Sequence, residues 1–163
     1  MRSALALAAA LFLAGCGLQP MYAGGSSGAV AQGLAAVDVA PIEGRAGWLV
    51  RNALRDRLAQ SGASTQPRYQ LDVLLDDKLE GLGLLTDETI GRERRTLRAR
   101  YQLIDLSSGE IVVDATAGSD AGIDVVSSEY ATIAAEETAL ENLARTVADR
   151  IITQVSLTLR SAP

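Results

Sequence analysis

Apolar and polar positions change their rhythm several times along the chain, and each change marks an element. LAAVDVA, residues 34–40, reads as a short strand ended by Pro41. In GRAGWLVRNALRDRLAQSG, Val50, Leu54 and Leu58 recur at helical spacing with Ala53 beside them, while Arg51, Arg55 and Asp56 fall elsewhere. This predicts a helix over 46–61, stopped by Gly62. Residues 68–80 alternate Tyr69, Leu71, Val73 and Leu75 against Gln70, Asp72 and Asp76, the pattern of a half-buried strand. The glycine-marked stretch 81–91 reads as an extended hairpin loop. Residues 92–105 alternate again, with Leu97, Ala99, Tyr101 and Leu103 on one side. LSSGE, 106–110, supplies a turn, and Ile111, Val113 and Ala115 restart a strand, with 118–126 read as a glycine- and aspartate-marked loop that can include a short extended piece. From Ser127 the period becomes helical for some thirty residues. Leu140, Ala144, Val147, Ile151 and Val155 form its stripe, Ile133 extends the stripe upstream, and Ser127 or Ser128 offers an N-cap.

The resulting order is β-α-β-β-β-α. One sheet face carries the alternating apolar residues, and two amphipathic helices are available to cover it. The expected fold is α+β, a two-layer α/β sandwich with an antiparallel-rich sheet of about four strands and two helices on one face. A single domain spans 34–163.

The first 33 residues have a different character. Arg2 is followed by an unbroken apolar run, Ala4 to Ala14, and then by Gly15 and the chain's one cysteine, Cys16. A charged start, a short apolar stretch and a small-residue site read as a secretory signal over 1–15, since a spanning helix needs about 20 apolar residues. Leu13-Ala14-Gly15-Cys16 resembles the lipobox of bacterial lipoproteins. That resemblance implies cleavage before Cys16, with a diacylglycerol on its sulfur and an acyl chain on its new amino group. Two or more acyl chains give stable membrane attachment, whereas one binds marginally. Residues 16–33, rich in Gly, Ser and Ala, read as a flexible tether reaching roughly 20–25 Å. Gly17 stands where lipoproteins kept at the inner membrane commonly carry Asp, which leans toward the outer membrane.

Composition narrows the chemistry. The formal net charge of −5 disfavours nucleic acid. The chain has no histidine, which removes Ser–His and Cys–His nucleophile pairs and His-based zinc sites. Asp76-Asp77 are neighbours on a strand and point to opposite faces, while Glu136-Glu137 diverge on a helix by ~100°. No catalytic residue, metal site or cofactor is expected. Aromatic residues are only 4%, leaving Ala, Leu and Val to pack the core, with Trp48 and four tyrosines as the large exceptions.

One constellation stands out. On the strand 92–105, Arg92, Arg94, Arg98 and Arg100 share the outward face with Thr96 and Gln102, and Arg95 falls on the other. Asp72 and Asp76 on the preceding strand could pair with Arg100 and with Arg94 or Arg98, which makes the row structural. Alternatively, guanidinium groups in a row suit bidentate contacts to phosphate or carboxylate, which makes it a comb for phosphorylated lipid or for a partner's carboxylates. Both readings stand.

Taken in order, these segments are similar to the LPS-assembly lipoprotein family (LptE-like), of the alphaproteobacterial type. CGLQPMYA resembles the family's CGFxPLYG-like opening, and WLVRNALRDRL its R-x-G-x-x-L-R-N-x-L-x-x-x-L helix, with Val50 where Leu is common. YQLDVLL, ARYQLIDLSSGEIV and SSEYATIAAEETALENLARTVADRI extend the match to the C-terminus. The resemblance implies a non-catalytic lipoprotein on the periplasmic face of the outer membrane. Its members partner and plug the LptD β-barrel in a 1:1 complex, with lipopolysaccharide as a further ligand. Arg92, Arg94, Arg98 and Arg100, with the 81–91 loop, are then the candidates for lipopolysaccharide or barrel contact. An auxiliary lipoprotein of an ABC-type lipid transport system, also a small α/β body on a tether, is the alternative.

Overall fold

The computed structural model describes residues 28–62, 66–82 and 91–161. Cys16, the signal, most of the tether and the greater part of the 81–91 loop lie outside these residues. The elements are α1 (Ala29–Ala35), β1 (Val37–Val39), α2 (Gly44–Ala59), β2 (Tyr69–Gly81), β3 (Arg92–Asp105), β4 (Ile111–Asp124) and α3 (Glu129–Ser161). The sheet order is β1-β2-β3-β4; β1 runs parallel to β2, and the other neighbours are antiparallel. The α+β sandwich expected from the alternation is therefore present.

Alternation decides the two sheet faces. Tyr69, Leu71 and Val73 of β2, Leu97, Ala99, Tyr101 and Leu103 of β3, and Val113 and Ile123 of β4 are buried on the inner face. Against them lies one side of α3: Leu140, Leu143, Ala144, Val147, Ala148, Ile151, Ile152, Val155 and Leu159. Val50, Leu54 and Leu58 of α2 complete the core. The Ser128 hydroxyl accepts from the Ala131 N–H and its carbonyl from the Thr132 N–H, so Ser128 is the cap that starts α3.

Helices α2 and α3 run parallel. Arg45 pairs with Glu137 at 3.2 Å and Arg57 with Asp149 at 2.6 Å, the same 92-residue offset at both ends of α2. At the start of α2, a Cβ on Gly47 would stand 2.6 Å from the Ile42 carbonyl oxygen, so only glycine lets the chain after Pro41 lie against the helix.

Four expectations need correction. Residues 29–33, assigned to the tether by composition, belong to α1, because Val30, Ala31 and Leu34 recur at helical spacing and are buried. Gly33 lies close enough to α3 that a Cβ there would be 3.1 Å from Leu159 Cδ1. The element order thus gains a leading helix, and β1 shrinks to three residues. The loop assigned to 118–126 is instead the second half of β4, since each of its residues up to Asp124 pairs across to β3 and regular backbone bonding overrides glycine's weak strand preference. Ile133 is largely exposed rather than part of the α3 stripe, and Trp48 packs little, being 64% exposed at a groove between α2 and α3.

The β3–β4 turn is tied down by Asp105, which is buried. Its carboxylate accepts from the Ser107 N–H (2.8 Å), the Ser107 hydroxyl (2.6 Å) and Arg68 Nε (3.2 Å). The Ser107 bonds, aided by Arg68, hold its pKa below the ordinary carboxylate value. A lowered folded-state pKa contributes stability above the unfolded-state value and loses it as pH falls through the folded-state one. Asp105→Asn is therefore expected to lower the urea midpoint at pH 7 and to converge with the wild type on acidification below about pH 4, as denaturation series at several pH values would read. Ile151 is fully buried at the centre of the helix–sheet contact. Ile151→Ala is expected to cost about 2–5 kcal/mol in the same assay.

Candidate functional surface

The arginine row is where the alternation places it. Arg92, Arg94, Arg98 and Arg100 are exposed on the outer face of β3, away from the helices, while Arg95 lies on the inner face. There Arg95 is bidentate to Asp77 (2.9 and 2.7 Å) and donates to the Glu136 carbonyl of α3 at 3.2 Å. The bond to Asp77 raises the Arg95 pKa, and the pair, through the Glu136 carbonyl, pins the sheet to the start of α3.

The expected partners of the row are only partly the actual ones. Register sets Asp76 opposite Arg98 and Asp72 opposite Gln102. Yet Asp76 pairs with Lys78 at 2.9 Å, and Asp72 accepts from Gln70 at 2.8 Å. The carboxylates that hold the row come from β4 instead: Asp114 takes Arg100 at 3.2 Å and Gln102 at 2.9 Å, and Asp124 takes Arg92 at 3.3 Å. The bonds from Gln102 and Arg100 lower the Asp114 pKa. Read as a loop with at most a short extended piece, 118–126 gave Asp124 no definite place opposite Arg92.

Arg94 and Arg98 have no ion pair among the described residues. On β4 they face Gly122 and Gly118, which carry no side chain to meet them. A Cβ on Gly118 would sit 2.9 Å from Arg98 Cδ, so Arg98 lies flat over that glycine, its guanidinium free to bond outward. Beside it, Leu74 is 76% exposed, an apolar residue on a polar face. Parity with Val73 and Leu75 already put Leu74 outward in the sequence, though its significance went unremarked. Leu74, Asp76, Arg98, Arg100 and Thr116 line a shallow depression of about 330 Å³.

Charge counting limits what this face can do. Across β2 to β4, Lys78 and the four arginines are set against Asp72, Asp76, Glu80, Asp114, Asp120 and Asp124, a formal surplus of one negative charge. The face is no uniformly positive comb. An anion would be met locally, at Arg98 and Arg100, with Leu74 beside them for an apolar chain. Among the described residues no group of His, Cys, Asp and Glu could hold a metal ion, and no helix is long and apolar enough to cross a membrane.

Exposure separates the pairs energetically. Arg92 and Asp124 are 65% and 78% exposed, whereas Arg95 and Asp77 are 17% and 24%. Asp77→Ala is therefore expected to cost about 1–2 kcal/mol and Arg92→Ala less than about 0.5 kcal/mol, as paired chemical denaturation curves would read.

Residues 34–155 match the LptE family, whose description is lipopolysaccharide-assembly. Among solved structures, the chain is 25% identical to a lipoprotein from Caulobacter crescentus CB15, with a TM-score of 0.66 over 83% of this chain and 99% of that one. A minor lipoprotein from Acinetobacter baumannii is 15% identical, with a TM-score of 0.61 over 74% and 90%. The rare lipoprotein B of Shewanella oneidensis is 13% identical, with a TM-score of 0.60 over 77% and 95%; these last two likenesses concern the fold. No curated protein matches the sequence. The family match spans nearly all of the folded body, from just before β1 into the last turns of α3, and the chain belongs to the LptE lipopolysaccharide-assembly family.

Proposed function

We propose that this protein is a non-catalytic lipoprotein, anchored through Cys16 to the periplasmic face of the outer membrane. There it partners and plugs the LptD β-barrel for assembly and transport of lipopolysaccharide. The observation that carries this reading is the family match over 34–155, which takes in every strand and most of both long helices. The anchor rests on the lipobox-like Leu13-Ala14-Gly15-Cys16 and the apolar run before it. A body with a helix-covered inner face and a charged outer face suits a binding partner, because the arginine row and the carboxylates around it lie on an open surface.

The outer face is assigned the contact role. Arg98 and Arg100 would take a lipid A phosphate or a carboxylate of the barrel wall, with an acyl chain against Leu74, while Arg92 and Arg94 extend the surface toward the hairpin tip. The net charge of the face argues for a few local contacts rather than broad attraction, so binding should depend only modestly on salt.

Two experiments test the assignment. Cys16→Ser is expected to move the mature protein from the membrane to the soluble periplasmic fraction, read by fractionation. Charge reversal at Arg94, Arg98 and Arg100 together is expected to weaken lipopolysaccharide binding or barrel capture at least tenfold, read by pull-down with purified components. Unchanged capture and unchanged lipopolysaccharide binding would remove the row from the function.

A further inference from the structure

The sheet ends at β4, and the direction of that strand's outward backbone groups can be read from its ladder. The Val125 N–H donates to the Gly91 carbonyl at 3.2 Å, which makes odd-numbered residues of β4 the ones bonded to β3. The even-numbered ones, Thr116, Gly118, Asp120 and Gly122, then turn N–H and C=O away from the sheet. The Gly118 carbonyl confirms the parity, since it accepts from the Arg150 guanidinium of α3.

Long exposed edges are normally guarded by proline, lysine, bulges or a covering element. β4 is 14 residues long and contains neither proline nor lysine, and its register with β3 is unbroken from Asp124 to Val113. Among the described residues, the side chain that bonds its outward edge at mid-strand is Arg150. A cleft of about 450 Å³ opens there, lined by Tyr101, Ala115, Ala117 and Gly118 with Arg150 and Gln154 as its rim.

We infer that β4 is a strand-addition site for an extended segment of a partner polypeptide in which basic side chains alternate with small apolar ones. Outward N–H and C=O groups repeating every second residue are matched in kind and spacing by another extended backbone. Side chains choose the sequence. Asp120 stands on the outer face between Gly118 and Gly122, opposite Thr96, and has no basic partner among the described residues, so the incoming strand is completed by Lys or Arg on that side. On the other side Ala115, Ala117 and Ala121 leave room only for small apolar residues beside α3. Arg150 holds the Gly118 acceptor while the edge is empty and swings off when an N–H replaces it.

Hydrogen exchange by mass spectrometry on the full lipidated chain in detergent, with a blocked ten-residue peptide of alternating lysine and valine, tests the site. A peptide N-methylated at alternate amides serves as control. The expected result is slowed exchange over 114–124 and binding by the unmethylated peptide alone. Asp120→Pro removes an outward N–H without touching the β3 ladder. It should weaken binding about tenfold, and Asp120→Lys should weaken it by repulsion while keeping every backbone donor. Arg150→Ala should strengthen binding. Should Asp120→Pro disturb the fold, the Asp120→Lys affinity and the exchange map decide the matter. Equal binding of the methylated peptide, protection on the uncovered end of β2 instead, or indifference to Asp120→Lys would overturn the proposal.

Discussion

Everything else in this molecule depends on the contact between the apolar stripe of α3 and the inner face of β2 to β4. The stripe runs from Leu140 to Leu159, and the sheet answers it with Tyr101, Leu97 and Leu103 on the central strand. With so few aromatic residues, this core is built from many medium-sized side chains, and its stability comes from length of contact rather than from a few large anchors. The long helix also fixes the rest. It holds α2 parallel through the Arg45–Glu137 and Arg57–Asp149 pairs, receives α1 at Leu159, and reaches Arg95 and Gly118 of the sheet through Glu136 and Arg150.

Covering one face completely leaves the other free to carry charge. On that outer face β4 supplies the carboxylates that hold Arg92 and Arg100, and the same strand sets glycines opposite Arg94 and Arg98, which have no ion pair among the described residues. The structural and ligand-binding readings of the arginine row are therefore divided among its members rather than opposed. Two arginines are braced, two have no ion pair among the described residues, and the braced Arg100 stands next to Arg98 beside an exposed leucine. A face of nearly balanced charge favours a ligand with both anionic and apolar parts over a simple polyanion.

Much of this was legible in the sequence, because period-2 and helical patterns report burial directly. The two faces of β2 and β3, the position of the arginine row and the bulk of α2 and α3 followed from parity and spacing alone. Three things did not. α1 was hidden because Val30, Ala31 and Leu34 sit among glycines and serines, and it is the long-range contact with α3, and to a lesser degree α2, that gives them something to pack on. The second half of β4 was hidden because GSDAG reads locally as a turn, while its strand state comes from the ladder with β3, a long-range constraint. The true partner of Arg92 followed from that same omission, as did the β4 edge and the Arg150 that covers it, whereas Asp114 stood within the expected strand and lost its place opposite Arg100 to the carboxylates of β2.

The proposed role as the partner of a large outer-membrane barrel is tested most directly by mild-detergent extraction of the native lipidated protein, followed by identification by mass of whatever remains bound. The expected result is recovery with an LptD-type β-barrel in a 1:1 complex. Recovery with the components of an ABC-type lipid transporter, and no barrel, would contradict it.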